Sequence, residues 1–321
     1  MTESPQLVSL QAVRQAAARL KGVAIRTPLL TSPELSEGAG GEVRLKLEST
    51  QRSGSFKLRG AFNYMATLPE EALKAGVITY SSGNHAQAVA LAARLLGVAA
   101  TVVMPVTAPE VKRRGAERLG ATVVLEGRTS VERKVRAEEI AEEEGLEMVP
   151  PFDAAPIIAG QGTAALEVLE DWPEMDTWVV CIGGGGLAAG TGVVVRALVP
   201  EARIIGVEPE GAAAMRRSLE AGRPVTLDRI DTIADGLAPV RPGDLTFYHV
   251  QQLLDDVITV SDEAIREATS FLHHQHKLVA EFSGAACVAA LRSGSLDLDG
   301  RRTGVVVSGG NMDPSLLREL L

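Results

Sequence analysis

TWVVCIGGGGLAAGTGVVVRAL, residues 177–198, passes from an apolar β-rich run through four consecutive glycines into a helical stretch. The run 177–182 has no polar alternation, so it reads as a strand buried on both faces, which is the habit of parallel sheets covered by helices. Glycines at 183–186 let the backbone turn sharply and aim its amides inward, and the start of a helix at 187 adds its own free amides. Strand, turn and helix together make an anion-binding corner.

The same alternation runs outward in both directions. Strands are expected at 77–80, 100–104, 121–125, 203–208, 256–260 and 304–307. Helices are expected at 85–96, 109–119, 129–144, 187–198 and near 212–221, with another entered through Ser261 as an N-cap. Residues 150–156 read as a loop. The fold class is α/β with mostly parallel sheets in three layers.

Composition limits the function. The chain has 321 residues, a net charge of −9, and 3% aromatic residues. An acidic chain without aromatic interleaving is a poor nucleic-acid binder. No apolar run approaches the ~20 residues of a membrane helix, and the N-terminus lacks a basic-then-apolar leader pattern. Cys181 and Cys287 are too few for a disulfide framework, and Cys181 reads as a small buried hydrophobe. A cytoplasmic location is expected. The acidic run 138–144 is a solvated helix face. His273, His274 and His276 read as a polar helix end.

Two further segments carry chemistry. In Ser53-Gly54-Ser55-Phe56-Lys57-Leu58-Arg59-Gly60, Lys57 follows small residues and opens an amphipathic helical stretch. Burial beside Phe56 and a cation such as Arg59 would lower its pKa and leave a neutral amine to attack a carbonyl. Alone, this lysine would be an ordinary surface charge. Ser81-Ser82-Gly83-Asn84-His85 lies between a strand and a helix, where Ser82 or Asn84 could serve simply as a cap. The glycine run has a rival reading as well. Gly183, Gly185 and Ala188 fit G-x-G-x-x-A, and Glu208 ends the next strand, as in a dinucleotide site. That rival explains neither Lys57 nor the loop at 82–85.

With these segments in order, the sequence resembles the fold-type II pyridoxal-phosphate enzymes, in their serine/threonine dehydratase and serine racemase branch. The resemblance rests on RTPLLTSPELS (26–36), KLEST (46–50), SGSFKLRGA (53–61), SSGNHAQAVA (81–90), MPVTAPEVKRRGAERLGATVV (104–124), IAGQGTAALEVL (158–169), GGGGLAAG (183–190), GVEPEG (206–211), DTIADGLA (231–238) and SGGN (308–311). It covers nearly the whole chain.

The resemblance implies a tryptophan-synthase-β-like fold. Residues 1–75 and 153–321 would form a large cofactor-binding domain, with 76–152 as a small mobile one. Lys57 would carry pyridoxal phosphate as a Schiff base, with Phe56 beside the ring. Asn84 would bond the phenolic oxygen. Gly183, Gly184, Gly185 and Gly186 would cradle the phosphate, and Ser308 would face the pyridine nitrogen. The segment Ser82, Gly83, Asn84, His85 and Ala86 would hold the substrate carboxylate, with Ser82 across the ring from Lys57. The freed Lys57 amine would take the α-proton. Loss of the β-hydroxyl would then give an aminoacrylate, hence a 2-oxo acid and ammonia. Ser308 in place of an acidic residue should favour elimination over transamination.

The implied activity is dehydration of L-threonine or L-serine, with an amino-acid racemase or a 3-hydroxyaspartate dehydratase as alternatives. A homodimer is implied. Racemases of this branch often hold a divalent cation such as Mg²⁺; Glu208 and the Ala212 carbonyl match two ligands, while Ala214 stands where an acidic one is expected. Glu281 reads as a helix-start carboxylate. The loop 151–154 and the segment 234–237 should border the substrate pocket. The chain ends soon after SGGN, so feedback through a C-terminal regulatory domain is not expected.

Overall fold

A computed structural model describes residues 5–320, except positions 82, 109, 128, 129, 297 and 299. Ten strands are assigned among the described residues: β1 Leu29–Thr31, β2 Val43–Leu47, β3 Val77–Tyr80, β4 Ala100–Met104, β5 Thr122–Leu125, β6 Glu147–Met148, β7 Thr177–Cys181, β8 Arg203–Pro209, β9 Asp256–Val260 and β10 Thr303–Val307. They form two sheets. The larger runs β1-β2-β10-β7-β8-β9 and the smaller β5-β4-β3-β6. Only the pairing of β1 with β2 is antiparallel.

Every residue of β7 and β10 is buried, as expected of central parallel strands covered on both faces. The strands β1, β2 and β6 were not expected from the sequence, although Val43-Arg44-Leu45-Lys46-Leu47 of β2 alternates apolar and polar residues.

The helix Ala155–Asp171 was also not expected to begin inside the loop 150–156. It is buried along most of its length and packs between two neighbours, Lys57–Met65 and Gly186–Leu198. Small residues permit the approach. A Cβ added at Gly190 would lie 2.1 Å from the Ile158 carbonyl oxygen, so only glycine fits there. This helix therefore sets the distance between the lysine segment and the glycine corner.

The apolar residues form separate cores. One lies around the large sheet and includes Trp178, Val179, Val194 and Val305. A second joins β3 and β4 to Leu58, Ala61, Phe62 and Met65 of the lysine-bearing helix, and also draws in Leu20 and Ile157. The smaller sheet lies within residues 77–148. Its core thus reaches beyond that segment, and Lys57 stands where the two cores meet.

Candidate active site

The cleft between the sheets has a volume of about 240 Å³ and is lined by Lys57, Asn84, His85, the glycine run, Glu281 and Ser308, among others. Lys57 opens the helix Lys57–Met65, with Phe56 as its N-cap. Its approach is pinned at two points. The Phe56 amide donates to the Ser308 carbonyl at 3.1 Å, and Ser55 bridges to Gly309. The lysine loop and the end of β10 are therefore one unit.

The Lys57 amine donates to the Pro151 carbonyl at 2.8 Å, and the Phe56 ring centre lies 5.3 Å from it. Burial lowers its pKa to about 8, because removal from water penalises the ammonium form. The expected push from Arg59 is absent. Arg59 is spent on a buried network, with Glu48 at 2.8 Å and Glu167 at 2.7 Å. Lys46 joins the same Glu167 at 2.6 Å. Neutralised by two carboxylates, Arg59 exerts no net repulsion on Lys57.

The glycine corner is built as its sequence suggested. Gly185 has φ +94° and is the N-cap of the helix Gly186–Leu198, with no side chain capping its amides. A Cβ at Gly184 would sit 2.2 Å from the Phe152 ring. The Thr246 hydroxyl donates to the Gly184 carbonyl at 2.6 Å. A backbone-lined hollow with unfilled amides suits a phosphate group.

Opposite stands the helix Asn84–Leu96, whose N-cap is Gly83. Of the two candidate caps at this end, Ser82 lies outside the described residues, and Asn84 reaches across the cleft. Its Nδ2 donates to the Glu281 carboxyl, and its Oδ1 accepts from Asn311 Nδ2 at 2.6 Å. The amides of Asn84, His85 and Ala86 occupy the first turn, where a helix has no carbonyl to offer them. The Ala86 side chain is buried in the second core, so only its backbone can serve the cleft. His85 bonds the Val149 carbonyl at 3.1 Å. Burial, with the Lys57 charge, lowers its pKa to about 3. It is neutral near pH 7, so its Nε2–H donates that bond.

Glu281 is the residue sequence reasoning undervalued. It does cap the helix Phe282–Arg292 by position, but its side chain caps nothing. The carboxyl is 7% exposed. Burial, reinforced by the Asp235 charge, pushes its pKa up to about 7. Only its distance in space from Asn84, which no local pattern encodes, reveals it.

Ser308 follows β10 and is 3% exposed. Its hydroxyl has a weak bond to the Ser283 carbonyl at 3.4 Å. Of the two expected border segments, Pro151 and Phe152 line the cleft, as do Asp235, Gly236 and Leu237. Asp153 instead accepts from the Asp244 and Thr246 amides, both at 3.0 Å, which anchors its loop to the helix Asp244–Leu253. Ala154 and Ala234 pack into the apolar cores.

Glu208 does not fit the expected metal role. Its two carboxylate oxygens accept the Met215 and Arg216 amides, each at 2.8 Å, so it caps the helix Ala214–Ala221. Ala212 is 1% exposed and Ala214 brings no oxygen from its side chain. One committed carboxylate and a carbonyl are too few donors for a hard cation that takes six or more oxygens. Glu208 is also fully buried, which keeps its carboxylate from a ribose and removes the support for a dinucleotide site. His276 faces Ser32, and His274 faces the Leu320 carbonyl. Among the described residues no group of three or more His, Cys, Asp or Glu could hold a metal.

Comparison with known proteins decides the class. Residues 20–309 match the family described as pyridoxal-phosphate dependent enzyme. The chain belongs to that family. It is 44% identical over 315 residues to the L-threonine ammonia-lyase of Thermotoga maritima, covering 98% of this chain and 78% of that protein. It is 43% identical to the L-threo-3-hydroxyaspartate ammonia-lyase of a Pseudomonas species, covering 98% and 99% of the two chains. The structure of maize serine racemase superposes with a TM-score of 0.94 at 38% identity, covering 98% of this chain and 97% of that one. Pyridoxal phosphate is thus the cofactor of this fold-type II enzyme. The residues present fit it: a buried amine of lowered pKa, a backbone hollow for a phosphate, and the Ser308 hydroxyl lining the same cleft. Among the described residues no helix is long and apolar enough to cross a membrane.

Proposed function

We propose that this chain is an ammonia-lyase that dehydrates L-threonine or L-serine to a 2-oxo acid and ammonia. The observation that carries this reading is the presence of Lys57 and Ser308 in one cleft. A buried amine stands at one wall, and a neutral hydroxyl stands where an acidic residue would deepen the electron sink. The cofactor, when bound, delocalises the electrons left at the substrate α-carbon.

The chain's own residues divide the remaining work. Lys57 would hold the cofactor and, once its amine is free, would take the α-proton. A pKa of about 8 leaves a useful neutral fraction near neutral pH. Phe56 would flank the cofactor ring, Asn84 would address its phenolic oxygen, and Ser308 its nitrogen. Gly183, Gly184, Gly185 and Gly186 hold the phosphate. The backbone of residues 82–86 receives the substrate carboxylate, and Ser82 is assigned to the face opposite Lys57. Residues 76–152 act as the small domain that closes on residues 1–75 and 153–321 and excludes water. A cytoplasmic homodimer is the expected form.

A racemase is the second reading, favoured by the likeness to maize serine racemase. A 3-hydroxyaspartate dehydratase is the third, favoured by the Pseudomonas relative. One panel separates them. The rates of 2-oxo acid release and of D-amino acid formation are measured together for L-threonine, L-serine, D-serine and the 3-hydroxyaspartate isomers. Fastest elimination from L-threonine or L-serine is expected. Racemisation outrunning elimination, or preference for 3-hydroxyaspartate, overturns the lead reading.

A further inference from the structure

The segment Ser308-Gly309-Gly310-Asn311 runs alongside the lysine loop. The Phe56 amide donates to the Ser308 carbonyl at 3.1 Å, and the Gly310 amide donates to the Gly54 carbonyl at 2.8 Å. Between them Ser55 bridges to Gly309 in the antiparallel sense. This register sets Asn311 level with Ser53. The Asn311 Nδ2 donates to the Ser53 carbonyl at 2.9 Å and to Asn84 Oδ1 at 2.6 Å. Both glycines are needed for the fit. A Cβ at Gly309 would lie 2.1 Å from Glu281 Oε1, and one at Gly310 would lie 2.8 Å from the Val279 carbonyl oxygen.

The chemistry of these partners gives the chain of bonds a direction. A backbone carbonyl only accepts, so the end of the Asn311 amide that meets Ser53 has to be its NH₂. The second hydrogen of that NH₂ goes to Asn84, which therefore presents its oxygen. The Asn84 NH₂ is thereby turned to Glu281, to which it donates. One of its hydrogens is left for the cleft. The reversed amide would offer the cleft a lone pair instead, and a phenolate oxygen needs a donor.

We propose, on the reading that Asn84 meets the ring's phenolic oxygen, that Asn311 is a positioning residue: anchored on the Ser53 carbonyl, it decides which end of the Asn84 amide faces that oxygen. The anchor lies four residues before Lys57. Seating of the lysine loop and the direction of the Asn84 amide are thus set by one piece of backbone. Asn311→Asp keeps the size of the side chain and replaces its donor with an oxygen. Asn84 then turns its NH₂ to Asp and its own oxygen to Glu281 and the ring. Adding Glu281→Gln supplies a donor to the turned oxygen, which satisfies the chain in the reversed direction.

The test compares the holoenzymes of the wild type, Asn84→Ala, Asn311→Ala, Asn311→Asp, and Asn311→Asp with Glu281→Gln. Three quantities are read: the visible circular dichroism of the bound cofactor, the cofactor kept through gel filtration, and the melting temperature. Asn311→Ala is expected to lose part of the dichroism. Asn311→Asp is expected to lose more, with cofactor retention weakened about tenfold, as for a lost hydrogen bond to a charged group. Adding Glu281→Gln is expected to raise the melting temperature again without restoring the dichroism. Unchanged dichroism in Asn311→Ala overturns the proposal. So does Asn311→Asp that retains cofactor better than Asn311→Ala, which would make Asn311 a space filler, or a double variant that recovers dichroism along with stability. If Asn84→Ala itself keeps the wild-type dichroism, the placement of Asn84 against the ring fails and the proposal falls with it. If Asn84→Ala changes the dichroism while both Asn311 variants keep it, the role of Asn311 alone is overturned.

Discussion

The Asn84 carboxamide donates to the buried Glu281 carboxyl across the cleft. With Asn311 bonded to its oxygen at 2.6 Å, Asn84 is fixed at both ends of its amide group. One Nδ2 hydrogen remains for a group in the cleft. Glu281 therefore governs the orientation of Asn84, and its pKa of about 7 places its own charge change in the working range.

Glu281 should make stability fall as pH rises. Its folded pKa lies above the ordinary carboxylate value of 4.5, so its contribution is complete below that value and is lost as pH climbs through about 7. Glu208, also pushed up to about 7 by burial, acts with the same sign. Glu281→Gln removes one of these two dependences. Melting temperatures of both proteins, compared from about pH 5 to about pH 8, should converge or cross as pH rises. A constant difference across that window contradicts the assignment.

Gly184 has no room for a side chain, since the added carbon would sit 2.2 Å from the Phe152 ring. Gly184→Ala should cost ~1–3 kcal/mol and weaken cofactor retention, seen in the melting temperature and in the absorbance kept after gel filtration. Phe152→Ala in the same chain should restore part of the stability. A Gly184→Ala protein with unaltered stability and retention would show that the corner is looser than described.

Arg59 is the counter-charge of a carboxylate with no exposure. Arg59→Met strands Glu48 beside Thr27 and Lys46, and removing one partner of a buried pair costs ~3–5 kcal/mol. Urea denaturation at neutral pH reads this directly. Because Arg59 does not act on Lys57, the lysine pKa should hardly move in a destabilised but folded variant. A large shift in the lysine titration contradicts the account of the network.

Glu208 spends both oxygens on helix amides. Adding Mg²⁺ or Ca²⁺, or removing divalent ions with a chelator, should leave melting temperature and turnover unchanged. A cation-dependent rise in melting temperature that vanishes in Glu208→Gln would restore the metal site.

Much of this fold was legible because its signals are local. Buried parallel strands such as β7 show as unbroken apolar runs, and the four glycines mark the turn that follows. Ser261 was identifiable as a cap, and its hydroxyl accepts the Ala264 amide at 3.2 Å. The misses concern distance along the chain. Arg59 looked like a free cation because its partner Glu167 lies 108 residues away. Glu281 looked like an ordinary helix-start carboxylate because Asn84 lies 197 residues away. Glu208 matched a ligand pattern, but the amides that occupy it belong to the next helix. The helix Ala155–Asp171 was hidden because its small residues serve close packing and leave no apolar stripe.

The account stands on Lys57 as the covalent seat of the cofactor and the base of the reaction. Borohydride reduction of the cofactor-loaded enzyme, followed by peptide mapping, tests this most directly. The account predicts the reduced cofactor label on Lys57 alone, and no label on reduced Lys57→Ala. A label on another lysine of the wild-type chain, or none at all, contradicts it.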